Sequence, residues 1–78
     1  MITQTSLTHT SVRAKLRAAI AEAEQQAATT PTGVVVVDVC NSEGKHTMSV
    51  CGIRNRPYRV CDAAGIDITD LVRQALSE

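Results

Sequence analysis

The chain has 78 residues, eight basic and eight acidic side chains, a single aromatic residue, Tyr58, and three cysteines. That length holds one domain with a marginal core, and Val, Ile and Leu supply only 18 of the 78 residues, close to the ~20% below which disorder is the default, so a fold helped by self-association is expected. Balanced charge argues against a broad grip on a nucleic-acid backbone, and no apolar run approaches the ~18 residues of a membrane span, so the expectation is a soluble, cytoplasmic protein.

Residues 1–10 are Thr-rich and polar and read as a flexible tail, leaving residues 11–78 as one small α+β domain. From Ser11 the pattern turns helical: Val12, Leu16, Ala19, Ile20, Ala23 and Ala27 share one side, and Thr10 or Ser11 can cap the start. The helix carries Arg13, Lys15 and Arg17 near its positive end and Glu22 and Glu24 toward its negative end, the reverse of what its dipole favours. The segment TTPTG at 29–33 ends it.

Residues 33–53, GVVVVDVCNSEGKHTMSVCGI, read as two β-strands joined by a two-residue turn at Glu43-Gly44. Pairing Ser42 with Lys45 sets Val39 opposite Met48, Val37 opposite Val50 and Val35 opposite Gly52. One face is then apolar, with Val35, Val37, Val39, Met48 and Val50. The other is mixed, with Val34, Val36, Asp38 and Cys40 against Thr47, Ser49, Cys51 and Ile53. After a loop at 54–57, residues 58–61 are read as a short third strand; the alternative is a short helix capped by Asn55, with Pro57 in its first turn and Gly65 as its end. A last helix follows, with Asp67 as cap, Ile66 and Leu71 as a hydrophobic staple, and Ile68, Leu71, Val72, Ala75 and Leu76 as its apolar stripe. The fold class is therefore α-β-β-(β)-α in two layers, with both helices on the apolar sheet face.

Few residue sets carry chemistry. Cys40, Cys51 and Cys61 are an odd number without CxxC spacing, which fits a reducing compartment and small apolar side chains in a thin core. Asp62, Asp67 and Asp70 are explained by turns and caps rather than by a metal. His46 and Cys40 lack a third, orienting group, so neither an enzyme nor a cofactor is expected. Arg54, Arg56 and Arg59 around Tyr58 have the composition of a phosphate or single-strand contact, which Arg13, Lys15 and Arg17 would extend if the first helix lies beside that loop.

The segment YRVCDAAGIDITDLVRQAL, residues 58–76, resembles the helix-turn-helix half of ribbon-helix-helix antitoxins and repressors. The resemblance implies a DNA-binding strand paired between two subunits, here residues 49–53. Its outward positions would be Val50 and Gly52, which have no hydrogen-bonding side chains for the major groove. No DNA-contact residue is carried over.

With both helices on the apolar face, Val34, Val36, Asp38, Ser49, Cys51 and Ile53 are left as a contact surface, Asp38 being bonded to Ser49 or acting as the polar specificity residue. The expected function is that of a small non-enzymatic interaction protein binding another macromolecule, foremost a protein, with a homodimer as a further expectation. Size and lack of chemistry suit a small regulator or inhibitor of the phage or mobile-element kind, such as an anti-CRISPR protein, by analogy only. A nucleic-acid-binding regulator is the alternative.

Overall fold

In the computed structural model, which describes residues 10–77, helix α1 runs over Thr10–Thr29 and buries Leu16, Ala19, Ile20, Ala23 and Ala27. Three antiparallel strands follow, β1 (Val34–Cys40), β2 (His46–Ile53) and β3 (Arg59–Asp62), in the spatial order β1-β2-β3. Helix α2, Thr69–Ser77, closes the chain. The α-β-β-β-α order is the α+β class expected, and the third strand is formed. The expected flexible tail falls on residues outside the described ones except Thr10, which is the first residue of α1.

The buried positions of α1 recur at helical spacing and are mostly alanine, so the helix settles close to the sheet. At Gly52 on β2 the approach leaves no room for a side chain, since a Cβ there would run into the backbone carbonyl of Ala23. The core joins Leu16, Ile20 and Ala23 of α1 to Val39, Met48, Val50 and Val60 of the sheet and to Ile68, Val72 and Ala75. On the outer strand β1, Val39 alone reaches the core, while Val37 packs at its margin and Val35 is half-buried.

The expected register is present: Val39 pairs with Met48, Val37 with Val50 and Val35 with Gly52. It arises differently from the two-residue turn. Gly44, at φ 80°, donates its N–H to Asn41 O, and Asn41 N–H donates to Lys45 O. Asn41 Oδ1 accepts the N–H groups of Glu43 and Lys45 at 2.9 and 3.0 Å. The loop thus spans three residues, 42–44, and pairs Cys40 with His46. An irregularity beside Cys40 leaves Thr47 as an extra residue in β2, which restores the pairing from Val39 inward.

Around α2 the structure departs in part from the expected arrangement. Asp67 holds the helix start from one position further out than expected: Ile68 O accepts the first helical N–H, from Val72, while Asp67 Oδ1 accepts Thr69 N–H at 2.9 Å and the Thr69 hydroxyl at 2.6 Å. Leu71 is not in the core, and the pair expected as a staple stays exposed, Ile66 at 61% and Leu71 at 36%. The inward position is Thr69, 1% exposed, whose Oγ1 accepts Val60 N–H at 2.9 Å. Leaving such an N–H buried and bare costs about 1–3 kcal/mol, which explains a polar residue at the head of an apolar stripe.

The segment resembling a helix-turn-helix also takes another form. Residues 59–62 are strand, residues 63–65 turn, and only α2 is helical. Residues 49–53 lie in β2, which is hydrogen-bonded on both sides, and Val50 is fully buried. A ribbon between subunits cannot be built from that strand.

Candidate interaction face

The side of the sheet away from the helices carries the residues singled out as a contact surface. β1 and β2 set Val34 beside Ile53, Val36 beside Cys51 and Asp38 beside Ser49. Val34 is 48% and Val36 61% exposed, while Ser49, Cys51 and Ile53 are half-buried by their neighbours. β3 extends the face with Arg59 next to Cys51 and Cys61 next to Ser49. Asp67 lies beyond Cys61 as its bridge partner. Arg59 and Cys61 were not recognised as part of this face, although carrying the strand alternation into β3 would have placed them there.

One end of the face is therefore apolar and the other polar. At the polar end Ser49 Oγ donates to Asp38 Oδ1 at 3.2 Å, the cross-strand bond expected from the register. His46 Nε2 lies 2.9 Å from Ser49 Oγ and 3.6 Å from Asp38 Oδ1. Serine, histidine and aspartate together invite comparison with a hydrolytic triad. There the carboxylate holds Nδ1 while the serine faces Nε2. Here the carboxylate and the hydroxyl share Nε2, and the serine proton is directed at the carboxylate. The three form a cross-strand hydrogen-bond network, with Asp38 68% and His46 43% exposed.

All three cysteines are free, and their expected place in the core is corrected: Cys40 is exposed, and Cys51 and Cys61 are half-buried on the open face. The core positions of the strands go to valine and methionine instead. Asp62 Oδ1 accepts the N–H groups of Ala64 and Ile66, and Asp67 is engaged by Thr69. Among the described residues no three or more potential ligands gather around one point.

The basic residues do not form one patch. Arg54 crosses to the C-terminal end of α1, where Nε donates to Ala27 O at 3.2 Å and Nη2 donates to Thr30 O. That position suits a cation at the negative end of the dipole. Arg56 is exposed in the loop, and Arg59 Nη1 lies 3.7 Å from Asp67 Oδ2. Tyr58 packs against the core and carries the Arg73 guanidinium 5.3 Å from its ring centre, so the ring is already covered. Lys15 Nζ donates to Cys40 O at 3.1 Å and Arg17 Nη2 to Leu76 O at 3.2 Å, while Arg13 is half-buried. Lys15 and Ala27 are twelve positions apart on α1, about 18 Å at 1.5 Å per residue, so the two basic groups sit at opposite ends of the helix.

The edges of the sheet are unlike. Beyond β3, Ile66 O accepts Asp62 N–H, Asp62 O accepts Gly65 N–H, Val60 O accepts Ile68 N–H, and Thr69 Oγ1 takes Val60 N–H. That edge is closed by residues 65–69. On β1 the bond from Arg54 N–H to Gly33 O fixes the alternation, turning the backbone of Val34, Val36 and Asp38 outward. The Thr32 hydroxyl engages both the N–H and the carbonyl of Val34, and Lys15 engages Cys40 O. Among the described residues, Val36 and Asp38 form the open stretch between them.

Among the described residues no helix is long and apolar enough to cross a membrane. Compared with known proteins, the chain matches no family model, no curated protein and no solved structure.

Proposed function

We propose that the chain is a non-enzymatic interaction protein that docks the open sheet face, Val34, Val36, Asp38, Ser49, Cys51 and Ile53, onto another protein. The observation that carries this reading is the division of the face: exposed Val34 and Val36 beside Cys51 and Ile53 at one end, and the Asp38, Ser49 and His46 network at the other. Such a surface supplies apolar area at one end and fixed polar groups for discrimination at the other. A stoichiometric inhibitor of the phage or mobile-element kind fits this description by analogy of size. A nucleic-acid regulator draws less support, because Arg54 is bonded to the end of α1 and the Tyr58 ring carries the Arg73 guanidinium.

The test is Val36→Glu, which puts a charge into the apolar end while leaving an exposed strand position exposed. The variant is expected to keep its circular dichroism spectrum and lose a stoichiometric protein partner that the unaltered chain retains from host lysate. Equal retention by both chains would sink the reading, as would salt-sensitive retention of nucleic acid in place of protein.

A further inference from the structure

We propose that two copies of this chain pair their β1 strands antiparallel about a two-fold axis through Val37, joining two three-stranded sheets into one continuous sheet with a closed, symmetric interface. This interface uses the strand edge, and it stands apart from the docking of the open face.

The first support is the pattern of outward backbone groups. A two-fold through Val37 sets Val36 of each copy opposite Asp38 of the partner subunit. Each such pair exchanges both of its N–H···O bonds, because both residues turn their backbone outward. The pairing uses the open stretch of the edge alone. A two-fold shifted to Val36 would instead require the N–H and carbonyl of Val34, which the Thr32 hydroxyl already engages.

The second support comes from α1. The helix packs against both β1 and β2, its Ala23 sitting on Gly52 of β2 and its Lys15 reaching Cys40 of β1, so its middle passes over the gap between the two strands. Across a β1 pair with the usual strand spacing of ~4.8 Å, the two α1 helices then run antiparallel about 10 Å apart, at the upper end of the 8–10 Å of packed helices. The groove where they meet is lined by Lys15, Ala18 and Glu22 on the helix and by Val37, Asp38 and Cys40 on the strand. Lys15 reaches Cys40 at one end and Ala23 sits on Gly52, the partner of Val35, at the other, so Ala18 and Ala19 fall between them, beside Val37 and Asp38 and close to the proposed axis. An antiparallel helix pair centred there brings small side chains together and sets Lys15 of each copy against Glu22 of the partner subunit. The charges are thus self-complementary only in the orientation that the strands require.

The experiment is sedimentation equilibrium of the full chain from about 10 µM to about 1 mM, with hydrogen exchange of individual amides at both ends of that range. A dimer is expected, with the Val36 and Asp38 amides slowed as concentration rises. Val36→Pro removes only an outward N–H and is expected to weaken the dimer about tenfold or more while preserving the monomer's spectrum. Lys15→Glu and Glu22→Lys are each expected to weaken it, and their combination to restore it, a pattern that loss of folding would not give. Monomer throughout the range overturns the proposal. So does a dimer that the single reversals leave unchanged, that the double reversal fails to restore, or that leaves the Val36 and Asp38 amides exchanging at the same rate.

Discussion

Thr69 and Asp67 act as one unit at the head of α2. The carboxylate takes both the backbone N–H and the hydroxyl of Thr69, and that hydroxyl in turn takes Val60 N–H, so the helix start and the β3 edge are held through one oxygen. The Thr69 bonds, side chain first and backbone second, hold the Asp67 carboxyl below its ordinary value of 3.8 against the opposing effect of desolvation, and Arg59 and Arg73 add smaller contributions in the lowering direction. A carboxylate with a depressed folded pKa contributes stability that is present above the unfolded value and lost as pH falls through the folded one. Denaturant unfolding is therefore expected to show stability declining as pH drops below 3.8. Asp67→Asn, which keeps an acceptor oxygen for Thr69 but cannot titrate, should flatten that decline. An equally steep decline in Asp67→Asn would assign the acid sensitivity to other carboxylates.

At the scale of elements, α1 shows how a chain with no Phe or Trp builds a core: small residues let the helix sit low on the sheet. The price is intolerance at the contact between Ala23 and Gly52, where the obstruction is backbone. Gly52→Ala is expected to destabilise the fold by about 3 kcal/mol, the upper part of the usual overpacking range, as read by urea denaturation. A loss below about 0.5 kcal/mol would mean that the helix can lift without cost. The elements and the register were legible in the sequence because β-branched alternation and the helical spacing of Leu16, Ile20 and Ala23 are local signals. The loop was less so: Asn41 bonds across it, and a loop one residue longer than expected is offset by the extra residue at Thr47. The charge order of α1, unfavourable for an isolated helix, has a tertiary explanation. Lys15 and Arg17 reach carbonyls of β1 and α2, partners that no helix-by-helix reading contains. The role of Arg54 was hidden for the same reason, since its acceptors lie more than twenty positions earlier in the chain.

For the whole molecule, the same dispersal of cations determines what its field can attract. With charges balanced, and with Lys15 and Arg54 engaged at opposite ends of α1, the described residues offer little for a phosphate backbone to follow. Binding to single- or double-stranded DNA is expected to be weak at physiological salt and to change by less than about twofold on Arg56→Ala with Arg59→Ala. A steep fall of affinity with salt that those substitutions flatten would reinstate the regulator reading. The candidate face itself was legible as far as β1 and β2, whereas its extension through Arg59 and Cys61 required the third strand to be placed first. The closure of the β3 edge by residues 65–69 has a consequence for solubility as well. A sheet able to add a neighbour on one side only is a chain terminator: once that side is taken, nothing remains for a further copy to template on, so edge-to-edge association ends at a pair and cannot grow into a filament.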